Sequence, residues 1–239
     1  MSDIALHFVQ VEKNYAGVPA LREFSLDVRR GEFFGLVGVN GAGKTTLIKC
    51  LLDFCAADGG AIEIFSVPHR ITAARARLAY LPERFNPPYY LTGRDFLQYM
   101  LELYRKPFDA VEVARMFGAL DLDLSALDRL ARTYSKGMTQ KLGLAACLLS
   151  GKDLYVLDEP TGGLDPKARA LLKSELAALK SAGRTVFFTS HALADVAEMC
   201  DRMAVVHAGR LRFTGTPQEL TGHYRAPDLE RAFLACIGS

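Results

Sequence analysis

The sequence lacks the features that would insert it in a membrane or attach it electrostatically to a polyanion. Its 29 lysines and arginines nearly balance its 27 aspartates and glutamates, and no polybasic run occurs. A near-neutral chain is not built for broad attachment to nucleic acid or anionic lipid. The longest apolar run, Leu142 to Gly151, falls short of the ~18 residues of a membrane span. The N-terminal residues carry no basic stretch before an apolar one, so we expect no signal peptide and a protein that stays where it is made.

Cysteine is scarce and scattered. None of the cysteines forms a C-x-x-C pair or lies at zinc-binding spacing from a histidine, so we expect no structural metal site. We expect buried, reduced thiols, as in a cytosolic protein. The five cysteines are Cys50, Cys55, Cys147, Cys200 and Cys236.

Strands and helices alternate along most of the chain. With 50% hydrophobic and 23% charged residues, the composition excludes bulk disorder. Alternating or apolar runs predict strands at 7–11, 24–28, 33–37, 154–157 and 185–189, and longer patterns predict helices at 44–52, 91–104, 111–120, 136–149 and 168–181. This order predicts an α/β fold with a mainly parallel sheet and N-terminal antiparallel strands. We expect a single domain over residues 1–239, with a helical subdomain inserted at about 82–149 and a tail helix at about 217–239.

The strongest chemical signal is a glycine-rich turn between a predicted strand and a predicted helix. It fits the P-loop pattern G-x-x-x-x-G-K-S/T, in which glycines let backbone N–H groups surround a phosphate at a helix N-terminus. Lys44 would reach the β- and γ-phosphates, and the Thr45 hydroxyl would ligate Mg²⁺. An accidental Lys-Thr in a βα turn is the alternative, and the flanking elements disfavour it. The turn reads Gly38, Val39, Asn40, Gly41, Ala42, Gly43, Lys44, Thr45, Thr46.

A second signal is an apolar strand that ends in two acids. Leu154 to Leu157 lead directly into Asp158 and Glu159. This is the Walker B arrangement, in which the strand carries Asp158 to the metal beside the P-loop. Glu159 can then polarise the water that attacks the γ-phosphate. A strand that simply meets its turn is the alternative, and the P-loop upstream makes it the weaker one.

Several further stretches together resemble the ATP-binding cassette ATPases. The segment 134–140 (YSKGMTQ) is similar to the family's signature motif, with Ser135 and Gly137 retained from L-S-G-G-Q, and 154–165 (LYVLDEPTGGLD) resembles its Walker B and D-loop. The resemblance covers nearly the whole chain. It implies the ABC ATPase fold, ATP and Mg²⁺ as cofactors, and hydrolysis of ATP to ADP and phosphate.

The resemblance also assigns residues outside the P-loop. It implies that Tyr15 stacks on adenine, that Ser135, Gly137 and Asp165 bind the nucleotide, and that His191 is the switch histidine. Glu159 and His191 are then the catalytic residues.

Two departures from the family pattern indicate one subgroup of the family. Glu83 replaces the Q-loop glutamine, and the signature reads YSKGM; both are typical of ATPases that serve ABC-2 type exporters. Glu83 can still ligate Mg²⁺ beside Thr45 and Asp158, because a carboxylate brings a charge. A solvated loop acid is the alternative for Glu83. The tail segment 228–235 also resembles the terminal helix of this subgroup, and its apolar positions are expected to pack on the chain's own surface.

The family mechanism implies two kinds of partner. One is a second copy of the chain, in a head-to-tail homodimer that encloses two ATP molecules between P-loop and signature. The other consists of separate transmembrane permease subunits, which would hold the chain at the cytoplasmic face of the cell membrane. We expect the segment 85–91 (FNPPYYL) to grip the membrane subunit; its rings filling the subdomain core is the alternative.

Other functions remain open at this point. A non-transport cassette ATPase acting on the ribosome or on DNA is the main alternative, although relatives of that kind usually carry two cassettes, zinc cysteines or coiled-coil insertions. Nucleic acid is not an expected partner, because the charge balance offers no broad footprint. A P-loop kinase or switch GTPase is disfavoured by the signature-like motif and by the lack of an N-K-x-D sequence. The sequence carries no information on the transported substrate.

Overall fold

Two β-sheets and eight α-helices make up the fold, in a computed structural model that describes residues 3–238. The parts of the predicted domain at residues 1, 2 and 239 lie outside the described residues. The strands are β1 (Ile4–Tyr15), β2 (Val18–Arg29), β3 (Phe33–Val37), β4 (Gly59–Ile64), β5 (Val67–Pro68), β6 (Leu78–Leu81), β7 (Leu154–Asp158), β8 (Thr185–Ser190), β9 (Arg202–His207) and β10 (Arg210–Gly215). The helices are α1 (Lys44–Leu51), α2 (Gly93–Leu103), α3 (Ala110–Ala119), α4 (Lys136–Leu149), α5 (Pro166–Ser181), α6 (Leu193–Met199), α7 (Pro217–His223) and α8 (Leu229–Gly238).

The larger sheet is parallel over five of its six strands. Its order is β10-β9-β3-β8-β7-β6, and only the edge strand β10 runs antiparallel to its neighbour. The smaller, antiparallel sheet has the order β2-β1-β4-β5. This arrangement is the predicted mainly parallel sheet with N-terminal antiparallel strands. Its main consequence is that β3, β8 and β7 end side by side at one edge of the larger sheet.

The larger sheet separates two hydrophobic cores, one on each of its faces. Successive side chains of β8 alternate between the cores: Phe187 belongs to the one shared with the antiparallel sheet, and Val186 and Phe188 to the one shared with the helices. Every residue of β3, β7 and β8 is buried. These strands therefore read as continuous apolar runs rather than alternating ones, because both of their faces are covered.

The segment between β6 and β7 contains α2, α3 and α4, although those two strands are neighbours in the sheet. Two short 3₁₀ turns, 124–128 and 131–133, connect α3 to α4. Buried side chains of these helices join the same hydrophobic core as the sheet. The long connection therefore packs directly on the core that positions the strand ends.

Three helix predictions differ from the structure by more than one residue, each for a local reason. Helix α2 begins at Gly93 rather than at 91, because Thr92 and Asp95 form a capping box. Helix α5 begins at Pro166, two residues before the predicted start, since Asp165 accepts from the Ala168 amide and proline fits the first turn. The predicted single tail helix is two helices, because a capping box at Thr216 starts α7 and proline at 227 interrupts the helical path to α8.

The apolar face of α8 packs on the chain itself, as expected for the tail. Ala232 and Cys236 are fully buried, and Leu229, Phe233 and Ile237 pack against the same core. Within residues 3–238, no helix is both long enough and apolar enough to cross a bilayer.

Candidate functional site

A cavity of about 1300 Å³ lies at the edge where β3, β7 and β8 end. The whole predicted P-loop, residues 38–46, lines it. So do Glu83, Asp158, Glu159 and His191, which come from three other segments of the chain. The fold therefore brings together the residues that the sequence assigned to phosphate binding, metal binding and catalysis.

The P-loop backbone is shaped by its glycines. Gly41 and Gly43 have φ of 79° and 113°, in the left-handed region that other residues rarely occupy. A Cβ at Gly38 would clash with the Val206 carbonyl oxygen, so no side chain fits there. The loop leads without interruption into α1, whose first residue is Lys44. Its amides and the helix N-terminus together are suited to bind an anion such as phosphate.

Lys44 is buried and bonded to its own loop. Its Nζ donates to the carbonyl oxygens of Gly38 at 2.6 Å and of Val39 at 3.3 Å. Burial lowers the pKa of Lys44, while the carboxylates of Glu159, Asp158 and Glu83 act in the opposite direction. These two carbonyl oxygens hold the ammonium at the mouth of the loop, where it can pair with phosphate oxygens.

Asp158 is held by a threonine that the sequence analysis did not identify. Thr189 on β8 donates from its hydroxyl to Asp158 Oδ1 at 2.6 Å and accepts from the Glu159 amide at 3.0 Å. Thr45 Oγ1 lies 3.5 Å from the other carboxylate oxygen, Oδ2. Burial raises the pKa of Asp158, the Thr189 hydrogen bond opposes that shift, and the charges of Glu83 and Glu159 add to it. A cation bound nearby would therefore strongly stabilise the ionised carboxylate of Asp158.

Glu159 occupies a strained backbone conformation beside His191. Its φ is 52°, a left-handed value that costs a residue other than glycine roughly 1–3 kcal/mol. One carboxylate oxygen, Oε2, lies 2.7 Å from His191 Nδ1 and 3.4 Å from the His191 backbone nitrogen. The Glu159 side chain is only 12% exposed, whereas His191 is 71% exposed. The carboxylate therefore faces the cavity, with its orientation fixed by an exposed ring.

Mg²⁺ fits the oxygen donors at this edge. Thr45 supplies a hydroxyl, and Asp158 and Glu83 supply carboxylates, which are the hard ligands that Mg²⁺ prefers. Among residues 3–238, no group of three or more histidine, cysteine, aspartate or glutamate side chains could hold a metal ion, so the site offers few protein ligands. This combination suits an ion that takes its remaining ligands from water and substrate phosphates.

Four predicted residues lie apart from the lining of the cavity. Ser135 is exposed and caps α4 by accepting from the Met138 amide at 3.2 Å. Asp165 caps α5 in the same way. Gly137 lies where a Cβ would be 3.5 Å from the Gly163 carbonyl oxygen, and Tyr15 lies 45% exposed at the end of β1. Within one chain, the structure does not bring these four into the cavity.

The cavity also contains polar residues that the sequence analysis missed. Arg84, Lys136 and Arg169 line it, so Lys44 is not the only cation there. Gln140 is buried and donates from Nε2 to the Pro160 carbonyl oxygen at 3.2 Å, which ties α4 to the turn after Glu159. Each of them lies within four residues of a predicted site residue, and this proximity was the available signal in the sequence. None stands out by spacing alone.

Replacing Thr189 should disturb both acids at once. In Thr189→Val, we expect the free energy of unfolding to fall by about 1–3 kcal/mol, because a buried carboxylate loses a hydrogen bond. Phosphate release from Mg-ATP should also fall, since both Asp158 and the Glu159 amide lose their common partner. Chemical denaturation and a phosphate-release assay measure the two effects.

Thr189→Ser is the matched control for this prediction. It keeps the hydroxyl and should remain close to wild type in both measurements. Unchanged stability and activity in Thr189→Val would show that Asp158 does not depend on this hydrogen bond.

A P-loop that faces an Asp-Glu pair at the carboxyl edge of a parallel sheet defines a P-loop nucleoside triphosphatase. The family model for ABC transporters matches residues 21–162. The chain belongs to the ABC transporter family, as the sequence motifs predicted.

Relatives and solved structures agree with this assignment. An uncharacterised ABC transporter ATP-binding protein of Nostoc sp. is 42% identical over 86% of this chain, which spans 62% of that protein's length. A Nod factor export ATP-binding protein I of Bradyrhizobium diazoefficiens is 35% identical over 92% of this chain and 73% of its own length. The structure of an ATP-binding subunit of an ABC transporter superposes with a TM-score of 0.86 at 28% identity, covering 97% of this chain and 99% of that one. The predicted ABC ATPase fold is confirmed.

Proposed function

We propose that the chain is the ATP-hydrolysing subunit of an ABC-2 type exporter and works on separate transmembrane subunits. The observation that carries this proposal is the arrangement around Glu159. Its carboxylate faces the P-loop cavity, is oriented by His191 at 2.7 Å, and follows an aspartate held at 2.6 Å by Thr189. These are the parts that hydrolysis of a bound nucleoside triphosphate requires.

The chemistry follows from the positions of these groups. The P-loop amides and Lys44 hold the β- and γ-phosphates, and Glu159 accepts a proton from the water that attacks the γ-phosphorus. The bond from that phosphorus to the bridging oxygen breaks, and ADP and phosphate are released. His191 keeps the Glu159 carboxylate oriented toward the water.

Mg²⁺ would be held by Thr45 and Asp158, with Glu83 as the third protein ligand. When bound, the ion neutralises charge on the phosphate oxygens. Asp158 is prepared for this role by its burial and by the Thr189 hydrogen bond, which keeps one carboxylate oxygen fixed and leaves the other directed toward Thr45.

A homodimer would complete the site. Ser135 and Gly137 lie at the N-terminus of α4, outside the lining of the P-loop cavity of their own chain. A head-to-tail copy could present its own α4 N-terminus to the γ-phosphate, since a helix N-terminus is an anion site. Binding of ATP would then close the dimer and hydrolysis would reopen it, with the γ-phosphate supplying the contact that differs between the two states.

The exporter assignment rests on the departures from the family pattern and on the relatives. Glu83 and the YSKGM signature are typical of the ABC-2 subgroup, and the Bradyrhizobium relative is named for Nod factor export. In that role the chain would lie at the cytoplasmic face of the cell membrane, held there by its membrane subunits.

The experiment that tests hydrolysis is phosphate release from Mg-ATP by the purified chain, measured beside its Glu159→Gln variant.

The segment after Glu83 is the proposed contact with the membrane subunit. Residues 83–86 line the nucleotide cavity, and Tyr89 and Tyr90 lie three to four residues beyond it. These two rings are 68% and 66% exposed and meet edge to face, with centroids 5.5 Å apart. Phe85 instead packs against Phe96 in the core. One loop therefore connects a cavity-lining acid, a core anchor and an exposed aromatic pair.

Removing both exposed rings should weaken partner binding and spare the fold. In the double variant Tyr89→Ala with Tyr90→Ala, we expect recovery of the membrane subunit in co-purification to fall at least tenfold, because exposed aromatic side chains are frequent binding hot spots. ATP binding and the thermal melting temperature should stay close to wild type, since neither ring fills the core.

Phe54→Ala is the matched control, because that ring is 67% exposed but lies after α1, near the other core. It should leave partner recovery unchanged. Normal recovery of the membrane subunit with the double variant would contradict the proposed contact. A large fall in its melting temperature would instead favour a structural role for the two rings.

A further inference from the structure

Two cysteines that the sequence separates by five positions lie next to each other in the structure. The sulfur atoms of Cys50 and Cys55 are 3.6 Å apart. Cys50 is buried in the last turn of α1, and Cys55 is partly exposed in the turn that follows. Cys55 is therefore not one of the buried thiols that the sequence predicted.

The backbone explains why the two side chains meet. After α1 ends, the amides of Phe54 and Cys55 both point back to the Lys49 carbonyl oxygen, at 2.9 and 3.4 Å. Asp53 adopts a φ of 62°, which lets the chain reverse at this point. This tight C-terminal turn returns Cys55 to the side of the helix that carries Cys50, so the pair is positioned by main-chain hydrogen bonds.

The pair is connected to the nucleotide site through Tyr15. The Tyr15 hydroxyl donates to Cys55 Sγ at 3.5 Å, and this bond is the largest cause that raises the pKa of Tyr15 to about 12. The same tyrosine also interacts with Thr46, which lines the cavity. Lys44, the P-loop cation, begins the helix in which Cys50 lies. A change at the two sulfurs thus reaches both the predicted adenine contact and the P-loop helix.

We propose that Cys50 and Cys55 form a reversible disulfide that weakens nucleotide binding, making the pair a redox switch on the P-loop domain. The effect on nucleotide rests on the proposed function, whereas the bond itself does not. A disulfide needs the two sulfurs to approach from 3.6 Å to about 2.05 Å, which side-chain rotation within one turn can supply.

The reaction is a two-electron oxidation by a peroxide. The more accessible sulfur, that of Cys55, takes an oxygen from the peroxide to give a sulfenic acid and one water or alcohol. Cys50 then loses its proton and its sulfur attacks the sulfur of Cys55; the S–O bond breaks, and the hydroxide leaves with that proton as a second water. Burial raises the pKa of Cys50 to about 12, so this thiol resists direct oxidation and acts as the resolving partner.

Oxidation should loosen the nucleotide site by removing the partner of Tyr15. In the disulfide, Cys55 Sγ is bonded to Cys50 and has moved from its position opposite the Tyr15 hydroxyl. Loss of one hydrogen bond that orients a contacting ring corresponds to about a threefold weaker affinity for ATP. By linkage, saturating ATP should lower the tendency of the pair to oxidise by the same factor.

Mass spectrometry of the full-length chain tests the bond without any nucleotide. Trypsin leaves both cysteines on one peptide, residues 50–70, because no lysine or arginine lies between Cys50 and Arg70. After hydrogen peroxide we expect this peptide to lose two hydrogens, to resist alkylation at both thiols, and to recover with dithiothreitol. Cys147→Ser, which removes a buried thiol that bonds to the Tyr80 carbonyl oxygen, is the control and should behave as wild type. A peptide that stays fully alkylated would overturn the proposal.

Binding of a fluorescent ATP analogue tests the effect of the bond. Peroxide should weaken the affinity about threefold in the wild-type chain, reversibly, and should leave Cys55→Ser unchanged, because serine keeps an acceptor for Tyr15 but cannot form the disulfide. A disulfide that leaves affinity unchanged would overturn the switch. A reduced chain that binds no ATP would overturn the proposed function instead, while the peptide measurement still reports on the bond.

Discussion

Glu159→Gln should leave Mg-ATP bound while nearly stopping its hydrolysis. Glutamine keeps the size and a hydrogen-bonding oxygen but cannot accept the proton of the attacking water. Loss of a general base typically lowers the rate by ~10²–10⁴, and phosphate release should fall within that range. The phosphate cradle is formed by residues 38–46 and is untouched, so equilibrium binding of ATP should persist.

The same variant should make the proposed dimer visible. Because hydrolysis is what reopens it, a chain that binds without hydrolysing should accumulate in the closed state, and size-exclusion chromatography with Mg-ATP should show a dimer. Glu230→Gln is the control, since that acid is exposed on α8, remote from the cavity. Hydrolysis at the normal rate in Glu159→Gln would show that Glu159 is not the general base. His191 would then be the next residue to test.

Lys44→Ala should abolish tight binding of ATP. The structure places the ammonium at the mouth of the P-loop, bonded at 2.6 Å and 3.3 Å to two carbonyl oxygens of the loop. Alanine removes both the charge that faces the phosphates and the side chain that ties the loop together. Charge-assisted hydrogen bonds contribute about 1.5–3 kcal/mol each, so two lost phosphate contacts correspond to affinity weakened by at least ~100-fold.

Equilibrium binding of a fluorescent ATP analogue measures the loss. Lys49→Ala is the matched control, because Lys49 is an exposed lysine on the same helix and should bind the analogue like wild type. The other cations of the cavity, Arg84, Lys136 and Arg169, come from different segments and cannot replace a group fixed inside the loop. Wild-type affinity in Lys44→Ala would show that the loop does not bind the triphosphate.

Local patterns predicted those parts of the site that short stretches of chain build on their own. The P-loop is one strand, one turn and one helix in sequence, and its predicted strand 33–37 has the observed bounds. Asp158 is the last residue of β7, and Glu159 follows it directly. In each case the residues that determine the conformation are neighbours of the residues that act, so the sequence contains the whole signal.

Contacts between distant segments could not be predicted in this way. Thr189 reaches Asp158 only because β7 and β8 pair in a register that sets those two residues opposite each other. Nothing in the run Thr185–Ser190 distinguishes this hydroxyl from that of Thr185. The meeting of Cys50 and Cys55 depends on the left-handed conformation of Asp53, which the sequence leaves undetermined. Such features follow from register and backbone geometry rather than from spacing.

The central position of β8 also bears on how the protein folds. It pairs with β3 on one side and β7 on the other, and the pair Val37 and Ser190 joins positions 153 residues apart (190 minus 37). Such long-range parallel pairing gives a high contact order, for which loop-closure entropy must be lost before the contact is gained. During synthesis the P-loop leaves the ribosome long before the strand that completes its surroundings. The nascent chain therefore carries a phosphate loop without its acids, and the site is assembled only when β8 is inserted between β3 and β7.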